Sequence, residues 1–231
     1  MKKLIAVVVL FSFLFVHQLQ INAADTNSAG VKETNSLPEL KSIDLPKPVM
    51  EGGMPLMQAL KERKSTREFS SKKLPLQTLS NLLWAANGIS RPDGRRTAPS
   101  ARNKQEIDIY VVMEEGTYIY DANQNTLVGV LAKDIRESTG KQPFVKDAPI
   151  NLLFVADYAK MGSDMPQDIM DFYAATDTGY VSQNVYLFCT SEGLATVVRG
   201  MVDRDACKTI LKLRSEQKVI LAQTVGYPKM N

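Results

Sequence analysis

Four cationic side chains, Lys61, Arg63, Lys64 and Arg67, fall within seven residues, with Ser65 and Thr66 between them. Residues 95–103 (RRTAPSARN) repeat that chemistry about thirty positions later. Arginine presents a planar fork of donors and serine a rotatable one, so both stretches suit a phosphate-bearing ligand. Either stretch taken alone is also compatible with a solvated basic surface. Two of them bracketing one helix favour an anion site.

Other chemistries are poorly supplied. The only histidine is His17, inside an N-terminal apolar segment. Triads, imidazole bases and ordinary zinc sites are therefore not expected beyond it. Cys189 and Cys207 lack metal or redox spacing. They are read either as a pair, if the chain is exported, or as two buried thiols packing as small hydrophobes. No Gly-x-Gly-x-x-Gly follows a strand and no P-loop occurs. Asp164, Asp168 and Asp171 recur at helical spacing; they are read as favourable charge near a helix N-terminus, with acid–base work as the alternative. The formal charge is +3, of which Lys2 and Lys3 supply two. No basic run is interleaved with aromatics, so nucleic acid is not an expected partner.

The elements that must position these residues follow in order. Met1-Lys2-Lys3, the apolar run Leu4 to Val16 and the small residues near Ala23 and Ala24 read as a signal peptide over residues 1–24. The mature chain is then expected to be periplasmic or secreted, without a stable membrane anchor. Residues 25–50 are polar and read as a flexible leader, and residues 51–231 as one domain. Pro55 opens a helix as its first residue, with Leu56 and Leu60 on the buried face. Pro75 opens a second helix, with Leu76, Leu79, Leu83 and Ala86 at helical spacing, Trp84 as a core anchor and Gly88 at its end. Residues 89–103 form a loop. Strands are expected at 107–113, 117–120, 150–156, 194–198 and 217–225, and a short helix at 131–138. Residues 150–156 are nearly all apolar, so that strand should be central. Pro166 starts the longest helix, ending near Glu192 before Gly193. Asp203 caps a last helix. The mixed order of helices and strands implies an α+β domain.

Residues 63–69 (RKSTREF) resemble the arginine-rich N-terminal motif of the nitroreductase superfamily. The helix over 74–88 and residues 98–103 (APSARN) follow in that family's order. Residues 177–184 (DTGYVSQN), 192–196 (EGLAT) and 225–228 (VGYP) resemble its later helix and strands. The version here looks closest to the branch that includes the dehydrogenases of azole-forming peptide pathways.

The resemblance implies an α+β nitroreductase-like fold: a central, mainly antiparallel sheet flanked by helices, with a long central helix. It implies a homodimer with FMN between subunits. By position, Arg63, Lys64 and Ser65 would hold the phosphate and ribityl chain, and Arg67 would sit at the flavin's pyrimidine edge. Pro99, Ser100, Ala101 and Asn103 would come from the partner subunit. Val198, Arg199 and Gly200 would line the flavin, and Lys229 would supply a late basic group to the phosphate. No side-chain catalytic residue is assigned. The implied reaction passes electrons from NAD(P)H or another donor through FMN to a nitroaromatic, quinone or related acceptor. Two alternatives accompany it: a dehydrogenase of peptide-derived heterocycles, and a non-enzymatic flavin- or anion-binding protein.

Overall fold

The computed structural model describes residues 39–229. The expected signal peptide and most of the leader lie outside them. The elements run β1 (Ile43–Asp44), α1 (Leu56–Glu62), α2 (Leu76–Asn87), β2 (Ile107–Val112), β3 (Thr117–Asp121), β4 (Thr126–Leu131), β5 (Ile150–Asp157), α3 (Gln167–Ser191), β6 (Ala195–Arg199), α4 (Arg204–Ile210) and β7 (Gln217–Gly226). The seven strands form one sheet in the order β1-β4-β3-β2-β5-β7-β6. Every neighbouring pair is antiparallel. The architecture is α+β, as expected.

The sheet is covered on both faces. Ile107, Ile109 and Val111 of β2 and Ile150, Leu152 and Phe154 of β5 pack with Leu79, Leu83 and Ala86 of α2 and Val181 and Val185 of α3. The intervening residues Tyr110, Val112, Leu153 and Val155 face the other way, toward Cys207 and Leu211 around α4. Double coverage explains why β5 is buried at every position and reads as a continuous apolar run. The long helix α3 has Ala174, Val181, Val185 and Cys189 in the core. Gly193, at φ +67°, ends it in the left-handed region that glycine enters without penalty.

Three expectations change, and one open alternative is decided. Residues 39–50 are not a free leader. Leu45 is buried, β1 pairs with β4, and Ser80 donates through Oγ to the Pro46 carbonyl at 2.5 Å. A sequence without apolar periodicity is held here by backbone pairing that periodicity does not register. Pro55 is the cap of α1 rather than its first residue, and Leu56 and Leu60 are 63% and 46% exposed; only Ala59 of that helix is buried. The 131–138 helix is instead the end of β4 followed by a 3-10 turn over Arg136–Thr139. Cys189 and Cys207 are both free and buried, on opposite faces of the sheet. Burial pushes the Cys207 thiol up to about 11, and raises that of Cys189 as well.

Candidate functional site

The basic segment leaves α1 and runs along the outer edge of the sheet. β6 is an edge strand, so half of its backbone groups lack a strand partner. The segment uses them: Thr66 donates its N–H to the Thr196 carbonyl at 2.9 Å. Tyr186 of α3 then ties three elements together. Its hydroxyl accepts the Val198 N–H at 3.0 Å and bonds Ser65 Oγ at 2.7 Å. The Arg63 guanidinium lies 5.2 Å from the centre of the same ring, within cation–π range. The structure thus brings Arg63, Lys64, Ser65, Arg67, Val198 and Gly200 to one edge.

Lys64, Ser65 and Arg67 are exposed, as is Gly200. None of Arg63, Lys64 and Arg67 forms a salt bridge with a described carboxylate. Several cations and a hydroxyl left without an internal anion suit an external one. Lys229 stands beside this segment, its backbone N–H donating to the Glu68 carbonyl at 3.3 Å.

Arg199 departs from the expectation that it lines the ligand. Strand alternation turns it away from Val198, and it is only 4% exposed. Its guanidinium donates to the Thr139 carbonyl at 2.7 Å, Asn151 Oδ1 at 2.9 Å and Thr224 Oγ1 at 3.1 Å. Burial without a carboxylate partner lowers its pKa to about 10. Its role here is to knit β5, β6 and β7 to the Arg136–Thr139 turn.

Pro99, Ser100, Ala101 and Asn103 form a second group, on the loop before β2. Arg96 supports that loop, donating to the Asn87 carbonyl at 2.9 Å and to Gln105 Oε1 at 3.0 Å. Ser100 Oγ accepts the Gln105 N–H at 2.9 Å. Arg102, Asn103 and Gln105 all have φ between 51° and 54°. Three non-glycine residues in the left-handed region are costly and mark a conformation imposed by its surroundings. Ala101 donates its N–H to Asp177 Oδ2 of α3 at 2.8 Å.

The two groups stand at separate points of α3. The first is anchored at Tyr186 and the second at Asp177, both on α3. That spacing corresponds to about 14 Å along the helix and about half a turn around it.

Against this geometry, the match of residues 60–227 to the model of the nitroreductase family is decisive. The chain belongs to the nitroreductase family. Membership makes it an oxidoreductase. A nitroreductase homologue from Methanocaldococcus jannaschii is 34% identical over 169 residues, covering 69% of this chain and 85% of that protein. A nitroreductase homologue of known crystal structure from Ralstonia eutropha is 42% identical, with a TM-score of 0.79 over 83% of this chain and 91% of that one. The NADPH:FMN oxidoreductase of Vibrio harveyi, solved with NAD+, shares the fold at 20% identity, with a TM-score of 0.58 over 76% of this chain and 70% of that one.

Within this chain, sequence reasoning missed Tyr186 and Glu106. Tyr186 sits among apolar residues of α3 and reads as core. Glu106 is fully buried, and both of its carboxylate oxygens lack a hydrogen-bond donor. Its one visible signal is an acid directly abutting an apolar strand.

Proposed function

We propose that the chain is an FMN-dependent oxidoreductase, taking electrons from NAD(P)H or another donor and passing them to a nitroaromatic, quinone or related acceptor. The observation that carries this reading is the edge of β6, where Arg63, Lys64 and Arg67 stand beside Ser65 without a salt bridge to any described carboxylate. That donor set fits a phosphate monoester, so the residues present suit FMN. The family and the NADPH:FMN activity named for the Vibrio harveyi relative support the choice of cofactor. FMN, when bound, supplies the electron-transfer chemistry. Arg63, Lys64 and Ser65 would hold its phosphate and ribityl chain, with Lys229 adjacent. Arg67 would place a positive charge at the pyrimidine edge. The backbone of Val198 and Gly200 would line the ring.

The functional unit in this reading is a homodimer. The loop carrying Pro99, Ser100, Ala101 and Asn103 is anchored about 14 Å along α3 and about half a turn around it from the Arg63 segment, and in this reading a second copy would supply it. Leu56, Met57 and Leu60 of α1 and Phe172 of α3 are exposed apolar surface of the kind a subunit interface covers. The apolar run Leu4 to Val16 supports export, which makes a donor other than NAD(P)H the physiological candidate.

The test is an absorption spectrum and FMN titration of the purified chain. Oxidised-flavin bands are expected. The double variant Arg63→Ala, Arg67→Ala should weaken FMN binding at least about a hundredfold, two charge-assisted contacts being removed. A colourless protein that ignores added FMN would overturn the reading and leave a non-enzymatic binding protein.

A further inference from the structure

Glu106 is the one fully buried carboxylate in the described chain whose two oxygens both lack a donor. It sits immediately before β2, and its backbone carbonyl accepts the Asp157 N–H at 2.9 Å, which fixes its place in the sheet. The groups facing its side chain are few. Asp177 of α3 lines one small cavity with Gln105 and Ile107, the residues that flank Glu106, and acts on its carboxyl, and Lys160, after β5, contributes a further charge. The ammonium of Lys160 is already bonded to Asp108 at 2.5 Å. The Tyr158 hydroxyl, on the same turn, is bonded to Asp171 at 2.5 Å. The backbone N–H of Glu106 itself is the remaining polar neighbour. Asp177 is 3% exposed and uses Oδ2 to accept the Ala101 N–H.

Two abutting carboxylates in so dry a place cannot both carry charge. One proton resolves the conflict. A protonated Glu106 becomes a donor, and the other oxygen of Asp177 is the acceptor beside it. The proton is placed on Glu106, because both of its oxygens stand without a hydrogen bond while Asp177 Oδ2 already accepts a backbone N–H. We propose that Glu106 and Asp177 share a single proton, and that this proton clamps the Pro99–Asn103 loop to α3, making Glu106 a positioning residue for that wall of the site. The loop's place in an FMN site rests on the function proposed above; the clamp itself does not.

The clamp is sensitive to pH. Burial and the neighbouring Asp177 push the Glu106 carboxyl up from 4.5 to about 7. Above that, the second charge repels Asp177 and loosens its bond to Ala101. The loop has reason to relax, since Arg102, Asn103 and Gln105 are held in the left-handed region.

Amide hydrogen exchange on the full purified chain tests this, read at Ala101 and corrected for the intrinsic dependence of exchange on pH. Protection of Ala101 should be roughly tenfold lower at about pH 8.5 than at about pH 5.5. In Glu106→Gln the side-chain amide donates to Asp177 at every pH, so protection should become independent of pH. Asp177→Asn keeps a carbonyl for Ala101 and offers an amide to Glu106, and should behave likewise. Infrared spectra of the unaltered protein should show a carboxylic-acid carbonyl band that disappears as pH rises through about 7. Absence of that band overturns the shared proton. Ala101 protection that does not change with pH in the unaltered chain, or that changes equally in Glu106→Gln, overturns the clamp. Neither measurement involves FMN, so a chain that fails to bind FMN can still show, or fail to show, the shared proton and the clamp.

Discussion

At the scale of single residues, Glu106 sets a pH dependence on the whole fold. Its carboxyl is raised from 4.5 to about 7 in the folded protein. Between those values the folded state holds a proton that the unfolded state has released. Stability therefore falls as pH rises through that window and stays low above it. Glu106→Gln has no proton to lose. Its denaturation midpoint should lack this decline and should exceed that of the parent above about pH 7. Urea titrations at several pH values read the difference, and a parallel decline in both proteins would assign it to other groups. Tyr186 works differently: one hydroxyl satisfies the Val198 N–H at a sheet edge and orients Ser65. An edge strand is thereby capped by side chains rather than by another strand.

At the scale of elements, β6 has two functional faces. Thr196 and Val198 turn toward α3 and the basic segment, while Val197 and Arg199 turn toward Thr139 and Asn151. Gln223 of β7 completes the first face, accepting from Ser182 at 2.9 Å and donating to Thr196 at 3.1 Å. Arg199→Ala would leave the Thr139 carbonyl buried without its donor, would leave Asn151 Oδ1 with the Thr224 hydroxyl alone, and would open a void. We expect a loss of about 3 kcal/mol in urea unfolding. FMN affinity, measured where the variant remains folded, should change by less than about threefold, because its guanidinium offers no donor outward. A large affinity loss with full stability would reverse that assignment and return Arg199 to the ligand.

At the scale of the molecule, the proposed homodimer rests on the separation of the Arg63 segment and the Pro99–Asn103 loop along α3. α1 is a short helix with one buried residue and an outward face of Leu56, Met57 and Leu60. A helix of that length gains little from propensity alone and needs packing to persist. Beside it, Val49, Met50, Leu56, Trp84, Phe188 and Ser191 border an open groove of about 570 Å³. If α1 covers the interface of the proposed homodimer, Leu56→Asp with Leu60→Asp should shift it from dimer to monomer in analytical ultracentrifugation. FMN affinity should fall with it if the partner completes the site. A monomeric double variant that binds FMN undiminished would separate the two properties.

The class and most of the frame are legible in the amino-acid order. Signals written in consecutive residues survive any packing. The apolar run of β5, the prolines and glycines bracketing α2 and α3, and the clustered cations of residues 61–67 are of this kind. So is the ordered set of short motifs that identifies the family. The rest depends on which surface each residue meets once the chain is folded. Alternation in β6 could not say which face Arg199 takes, because both faces of this sheet are covered. Helical spacing marked Leu56 and Leu60 as buried, yet a single chain offers that stripe no cover. Residues 39–50 gained their order from β4 and α2, which are distant in sequence. The proton assigned to Glu106 has the same origin. An acid is ordinary in the sequence, and becomes a proton holder only when folding removes its water and sets Asp177 against it.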